Sequence, residues 1–230
     1  MIKPPEALAK VISVQFTDLN LLRQALTHRS AASGNNERLE FLGDAVLGYV
    51  IADQLYARFP AADEGTLSRL RATLVNQTSL ASIARELHLG DYLILGSGEL
   101  KSGGFRRDSI LSDALEAIIG AILLDQGIDA CRQWIVGQFS DAMGKLSVSD
   151  GRKDPKTCLQ ELMQSRGLEL PVYSLMATDG QPHLQHFRVE CMTSLLPTPS
   201  QGEGTSRKRA EQQAAEAMLR RLSSELNIKS

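Results

Sequence analysis

Three carboxylates lie at positions i, i+3 and i+7 of residues 36–47, a segment otherwise rich in apolar side chains: Glu37, Glu40 and Asp44. At about 100° per residue, they fall within roughly one sixth of a helix circumference. Leucine and valine side chains gather on the opposite side. A purely acidic stripe beside apolar surface is costly unless a cation neutralises it. Because carboxylates are hard oxygen ligands, a divalent metal ion is the cation that this pattern favours.

A second acidic pair follows in residues 110–120, where Asp113 and Glu116 stand at i and i+3. Leu115 and Ile118 belong to the apolar stripe on the other side of the same predicted helix. Two helices that each offer two carboxylates to a common centre are one way in which helical proteins build divalent-metal sites. Oxygen ligands without histidine or cysteine favour Mg²⁺ or Mn²⁺ over zinc. Spacing alone leaves a second interpretation open, in which both stripes are solvated helix faces.

Apolar periodicity predicts an almost wholly helical region over residues 6–145. Glycine, proline and paired asparagines divide it into helical segments at residues 7–14, 18–26, 39–58, 65–87, 110–123 and 128–146. The region after residue 154 has a different order. A helix at 155–166 precedes strands at 172–178 and 186–192, a weaker strand that ends near Gly204, and a helix at 206–224. The long turn predicted at 194–203 contains two prolines. The predicted fold class is therefore an all-α N-terminal domain at 1–147, a linker at 148–154, and an α+β (α-β-β-β-α) domain at 155–226.

Composition narrows the class of protein. The chain of 230 residues is 43% hydrophobic and 23% charged, and its formal net charge is −2. A polyanionic partner must therefore be bound by local basic patches rather than by the overall field. No apolar run approaches the ~20 residues that a membrane span needs, and the N-terminus has no signal-peptide pattern. The three cysteines suggest neither a zinc site nor a disulfide framework, so the expected location is the reducing cytoplasm, away from membranes.

Four segments of the helical region together resemble bacterial ribonuclease III, in that family's order and spacing: ALTHRS at 25–30, ERLEFLGD at 37–44, ELKSGGFRR at 99–107 and DALEA at 113–117. The resemblance implies that catalytic Mg²⁺, with Mn²⁺ as a substitute, is held by Glu40, Asp44, Asp113 and Glu116. It also implies that Asp44 and Glu116 are the pair essential for chemistry.

Further residues take their expected roles from the same resemblance. Glu37 and Glu64 match two additional family acids near a dimeric cleavage valley. Phe41 matches an aromatic residue that inserts into the partner subunit of a homodimer, although a buried core phenylalanine is the simpler interpretation of its position. The basic segment 101–107 is expected to offer cations to RNA phosphates. His28 and Arg29 are predicted to be structural polar groups near the core.

The region after residue 154 looks like a double-stranded-RNA-binding domain. Such a domain covers about 16 base pairs, contacting two successive minor grooves and the phosphates between them. The matching candidate contacts are Thr157, Gln160, Glu161, Gln164, His183, Arg207 and Lys208. One position departs from the pattern, because Glu211 stands where many such domains carry a basic residue. A direct phosphate contact is not expected there.

The expected function is endonucleolytic hydrolysis of double-stranded RNA, with Mg²⁺, to 5′-phosphate and 3′-hydroxyl ends that carry short 3′ overhangs. The expected work is the processing of ribosomal RNA precursors and structured messenger RNAs. Two alternatives remain. A catalytically inactive dimer that shields duplex RNA predicts losses among the four metal-ligand positions, and none is lost. A helical phosphohydrolase acting on nucleotides leaves the C-terminal domain without a role.

Overall fold

In a computed structural model of the protein, the described residues are 2–31, 34–151, 153–181 and 184–226. Residue 226 is described by its backbone alone. They divide into two compact units, and the division falls between residues 152 and 153. The first unit is helical, and the second contains a three-stranded antiparallel sheet with helices before and after it. The predicted fold class is confirmed for both units.

The helices of the first unit are α1 (Pro5–Val11), α2 (Leu19–Ala25), α3 (Glu37–Arg58), α4 (Glu64–Leu74), α5 (Gln77–Glu86), α6 (Ser97–Lys101) and α7 (Asp108–Lys145). The prediction of one continuous helix over 65–87 was wrong. Asn76 has an extended backbone, and its side chain accepts the Ser79 amide at 2.9 Å, so it caps α5. Gly127, with φ at 81°, turns the chain within α7 at the predicted boundary.

The core of the first unit lies where α3 packs against α7. Leu47, Val50 and Ile51 of α3 are fully buried there, as are Ile118 and Ile119 of α7. The first half of α7 is buried on most sides. This agrees with its sequence, which is apolar on nearly all faces of the helix and contains only two acids between residues 109 and 124. The two acids interrupt the apolar surface at the level where α3 carries its own acidic stripe.

The turn Val148–Gly151 lies within the segment predicted as a linker, and it packs against α4. The Arg69 Nε donates to the Gly151 carbonyl oxygen at 2.6 Å, and Gly151 is buried against Thr66 and Leu70. The first compact unit therefore ends after this turn.

The second unit consists of α8 (Pro155–Ser165), β1 (Val172–Asp179), β2 (His186–Thr193), β3 (Leu196–Gly204) and α9 (Arg207–Leu226). The strand order is β1-β2-β3, with antiparallel pairing throughout. Both helices contribute to one apolar core, formed by Leu159, Cys191, Ala214, Met218 and Leu222.

Strand β3 replaces the long turn predicted at 194–203. The predicted weaker strand that ends near Gly204 is present and begins at Leu196, although Pro197 and Pro199 lack an amide hydrogen and so weaken a strand pattern. β3 is an edge strand, which needs ladder hydrogen bonds on one side only, so both prolines are accommodated. The chain between β2 and β3 is reduced to a tight hairpin, in which Thr193 pairs with Leu196.

No helix within the described ranges combines the length and the apolarity that crossing a membrane requires.

Candidate metal centre and C-terminal basic surface

Carboxylates from α3 and α7 converge in the first unit. Glu40, Asp113 and Glu116 each place an oxygen within 4.8 Å of the others, and all three side chains are partly buried. Asp44 follows Glu40 by about one turn and is exposed. Its charge is near enough to act on the pKa values of Glu40 and Glu116. Three of the four predicted metal ligands thus form one cluster, and Asp44 lies near it.

Two glycines explain how the helices approach so closely. A Cβ atom on Gly43 would lie 1.8 Å from the Glu116 carbonyl oxygen, and one on Gly120 would lie 2.2 Å from the Leu39 carbonyl oxygen. The backbones of α3 and α7 are therefore in direct contact, with no side chain between them. Glu40 lies one helical turn before Gly43, and Asp44 directly follows it, so this backbone contact determines the distance of both carboxylates from Glu116.

The cluster is electrostatically costly without a cation. Burial, then Asp44, Asp113 and Glu40, raise the pKa of Glu116 from 4.5 to about 8. Burial and the neighbouring acids also raise the pKa of Glu40, and burial raises the pKa of Asp113. A divalent ion would offset both the burial and the repulsion. The donor set consists of carboxylate oxygens, which is the chemistry that Mg²⁺ and Mn²⁺ prefer.

A polar cavity of about 470 Å³ opens beside the cluster and is lined by Glu40, Asp113, His28, Arg29 and Arg107, among others. The side chain of Arg29 is exposed and pairs with Glu37 at 3.6 Å. Its predicted role as a structural group near the core was wrong. The signal available in the sequence was its position in the loop that leads directly into the acidic helix. Arg107 pairs with Glu99 at 2.6 Å, and sequence reasoning did not anticipate this pair.

Of the two additional acids, Glu37 lines the same polar cavity as Glu40 and Asp113, whereas Glu64 lies elsewhere. Glu37 is exposed at the first residue of α3, and its carboxylate also accepts from the Asn35 side chain at 3.1 Å. Glu64 begins α4, accepts the Ser68 hydroxyl at 2.7 Å, and lines a different cavity of about 580 Å³. Within the single chain, the structure therefore does not bring Glu64 into the acidic cluster.

Phe41 is 79% exposed, so the interpretation of a core phenylalanine is wrong. Tyr49 and Tyr56, which follow at helical spacing on α3, are also exposed and line the cavity that contains Glu64. Arg132 donates to Asp53 at 2.6 Å and to the Tyr49 hydroxyl at 2.9 Å. This pair of bonds holds one aromatic ring of the exposed face in place.

The candidate RNA contacts of the second unit lie on α8 and at the start of α9. Four of them recur at i, i+3, i+4 and i+7 on α8 and are exposed: Thr157, Gln160, Glu161 and Gln164. Arg207 and Lys208 are exposed in the first turn of α9. His183 lies outside the described residues. Glu211, one turn into α9, pairs with Lys156 and Arg207.

Family models match both units. Residues 18–142 match a model described as Ribonuclease-III-like, and residues 155–222 match the double-stranded RNA binding motif. Similar proteins include Ribonuclease 3 of Methylococcus capsulatus, which is 68% identical over 97% of each chain. Ribonuclease 3 of Vibrio campbellii is 53% identical over 96% of this chain and 99% of its own.

Solved structures agree with this result for the first unit. The nuclease domain of ribonuclease III from Campylobacter jejuni matches with a TM-score of 0.60 and 46% identity, and the match covers 64% of this chain and 100% of that one. A second structure of that domain, described for flexibility in a region involved in dimer formation, matches with a TM-score of 0.58 and 48% identity over 59% and 96%.

These matches define a nuclease joined to a module that binds double-stranded RNA. The chain belongs to the ribonuclease III family. It is an endoribonuclease specific for double-stranded RNA.

Proposed function

We propose that this endoribonuclease uses Mg²⁺, with Mn²⁺ as a substitute, held by Glu40, Asp44, Asp113 and Glu116. The observation that carries the proposal is the convergence of three partly buried carboxylates within 4.8 Å, with pKa values raised by burial and mutual repulsion. When bound, such metal ions supply an activated water and neutralise the charge on the phosphate oxygens. The products are 5′-phosphate and 3′-hydroxyl ends with short 3′ overhangs.

The residues of the chain have separate tasks in this proposal. Glu116 must release a proton to become an oxygen ligand, so metal binding is coupled to proton release. Asp44 is exposed next to it and, with Glu116, forms the pair that serves the chemistry directly. Arg29 and Arg107, on the wall of the adjacent cavity, offer guanidinium groups to flanking phosphates.

We infer that the enzyme is a homodimer, with each subunit cleaving one strand. An exposed aromatic face on α3, formed by Phe41, Tyr49 and Tyr56, supports this proposal. Large aromatic side chains exposed on one helix are typical of an interaction site. In the dimer, Phe41 inserts into the partner, and Glu37 and Glu64 contribute further acids to the cleavage valley between subunits.

The second domain (155–226) binds the duplex in this proposal. It follows the nuclease domain (1–147) and the turn Val148–Gly151, which packs on α4. Thr157, Gln160, Glu161 and Gln164 are assigned to one minor groove, and His183 to the next groove. Arg207 and Lys208, at the start of α9, are assigned to the intervening phosphates, where helix amides add positive potential. Precursors of ribosomal RNA and structured messenger RNAs in the cytoplasm are the proposed substrates.

Cleavage of a labelled duplex RNA by the purified full-length protein, with and without Mg²⁺, tests the proposal. We expect Glu116→Gln to abolish Mg²⁺-dependent cleavage and to retain duplex binding, because it removes one charged ligand. Asp141→Asn is the matched control, since Asp141 is exposed on the same helix α7 and should be dispensable. Near-normal cleavage by Glu116→Gln would refute the site assignment. Binding by the wild-type protein without metal-dependent cleavage would instead favour the RNA-shielding alternative.

A further inference from the structure

The carboxylate of Glu211 joins two basic residues at the surface where α8 and α9 begin. It accepts from the Lys156 Nζ at 2.5 Å and from the Arg207 Nε at 2.9 Å. Its side chain is only 13% exposed, whereas that of Arg207 is 59% exposed. One acidic group thus connects the first turn of α8 to the first turn of α9.

Lys156 is also held from a second side. Its ammonium group lies 4.5 Å from the centre of the Tyr173 ring, within the range of a cation–π interaction. Tyr173 belongs to β1 and packs against the core of the second unit. The position of Lys156 therefore does not depend on Glu211 alone.

Glu211 is charged at neutral pH in this environment. Burial acts to raise its pKa, but the hydrogen bonds and charges of Lys156 and Arg207 together hold the pKa below its usual value. The carboxylate consequently cancels part of the positive charge that the second unit presents beside Lys208 and Arg209.

We propose that Glu211 neutralises part of the positive charge of Lys156 and Arg207 that would otherwise act on an RNA phosphate, and that it thereby limits the affinity for duplex RNA. The proposal rests on the assignment of Arg207 to a phosphate contact. In the complex, Lys156 and Arg207 are shared between Glu211 and the RNA, so fewer counterions leave the duplex than the number of basic residues suggests.

Removing the charge of Glu211 while keeping the size of the side chain has a calculable effect. Glutamine at position 211 has one acceptor oxygen in place of two, so it can accept from only one of the two cations, while Tyr173 still holds Lys156. One additional effective phosphate neutralisation steepens the slope of log Kd against log salt by about 0.9. If the plots of log Kd against log salt for the wild-type protein and Glu211→Gln meet near 1 M salt, the variant binds about 5-fold more tightly at about 0.15 M.

The test measures duplex binding by full-length protein in EDTA, by fluorescence anisotropy, across a range of KCl concentrations. We expect Glu211→Gln to bind more tightly at low salt and to show the steeper slope. Glu216→Gln is the matched control, because it removes a charge from another i, i+4 pair with arginine on α9, at 3.5 Å from Arg220. Its line should run parallel to the wild-type line. Thermal unfolding followed by circular dichroism verifies that each variant is folded.

Three outcomes would each overturn the proposal. A Glu211→Gln line that is parallel to or shallower than the wild-type line, with a weaker Kd, would show that Glu211 is only structural. An unchanged slope for Arg207→Gln would show that Arg207 does not meet a phosphate, which refutes the underlying contact assignment and the proposal with it. If Arg207→Gln flattens the slope while Glu211→Gln has no effect, the contact assignment stands and the proposal for Glu211 fails.

Discussion

The contact between Gly43 and the backbone of α7 leads to a sharp prediction for Gly43→Ala. The added methyl group would start 1.8 Å from the Glu116 carbonyl oxygen, 2.6 Å from the Glu116 carbonyl carbon and 3.0 Å from the Gly120 amide nitrogen. All three atoms belong to a buried helix backbone, so none can rotate away. The two helices must separate, or α3 must rotate.

The size of the displacement follows from ordinary contact distances. A carbon–oxygen contact of about 3.4 Å requires that the helices move apart by about 1.6 Å at this level. A misplacement of about 1 Å at a catalytic site can reduce the rate by about 100-fold. Overpacking costs about 1–3 kcal/mol, of which the higher helix propensity of alanine returns about 1 kcal/mol. We therefore expect a folded protein that has lost at least about 100-fold in activity.

The assay is kcat/KM for cleavage of a duplex RNA at saturating Mg²⁺, with unfolding free energy measured by urea titration. Gly137→Ala is the control, because Gly137 lies in α7 with no atom within 4 Å of an added Cβ. It should gain up to about 1 kcal/mol of stability and keep its activity. If Gly43→Ala is folded and cleaves within a few-fold of the wild-type rate, the backbone contact does not set the geometry of the acidic cluster.

Three further predictions concern stability, assembly and the domain boundary. Without metal, the free energy of unfolding should fall as the pH rises from about 4.5 to about 8, because only the folded state keeps Glu116 protonated in that range. Urea titrations should show a loss on the order of 2–4 kcal/mol, most of which Glu116→Gln removes, and the raised pKa values of Glu40 and Asp113 account for the remainder. A metal-free protein whose stability increases over this range would contradict the pKa assignment. Phe41→Ala should weaken self-association by about 100- to 10,000-fold in sedimentation equilibrium. Burying one phenylalanine contributes about 1.5–3 kcal/mol, and a symmetric dimer buries two. An unchanged dimer would remove Phe41 from the interface. A chain ending at residue 152 should keep the hydrogen bond from Arg69 to Gly151 and cleave RNA at low salt. A chain ending at residue 147 loses that bond, and its free energy of unfolding should be lower by about 1–3 kcal/mol. Equal melting temperatures for the two chains would show that the turn Val148–Gly151 is dispensable.

The local sequence pattern was sufficient to predict most of the helices and strands and the carboxylates of the acidic cluster. The acidic residues at i, i+3 and i+7 lie on one side of α3 because helical periodicity alone places them there. The break at Asn76 was missed because residues 65–87 keep an apolar period through it, and only the side-chain cap on Ser79 marks the end of one helix and the start of the next. The third strand was underestimated because two prolines weaken a strand pattern unless the strand is known to lie at an edge.

Placement across the fold was harder to predict than periodicity. The exposure of Arg29 and its pairing with Glu37 depend on where the loop before α3 lies, which local sequence does not specify. The function of Gly43 and Gly120 is also invisible in a helical pattern, where glycine merely lowers helix propensity. The double pairing of Glu211 joins residues 55 positions apart, so it required the packing of α8 against α9.

Each compact unit contains a fully buried cysteine thiol. The rate at which that thiol is labelled would report how often the unit opens. Cys131 lies in the core of the first unit, where burial raises its pKa to about 11, and Cys191 lies in the core of the second, where burial also raises the pKa. Because the thiolate is the reactive form, a thiol reagent should label either cysteine only after its surroundings open. With the partly exposed Cys158 replaced by serine, mass spectrometry of labelled peptides would time the two units independently in one intact chain.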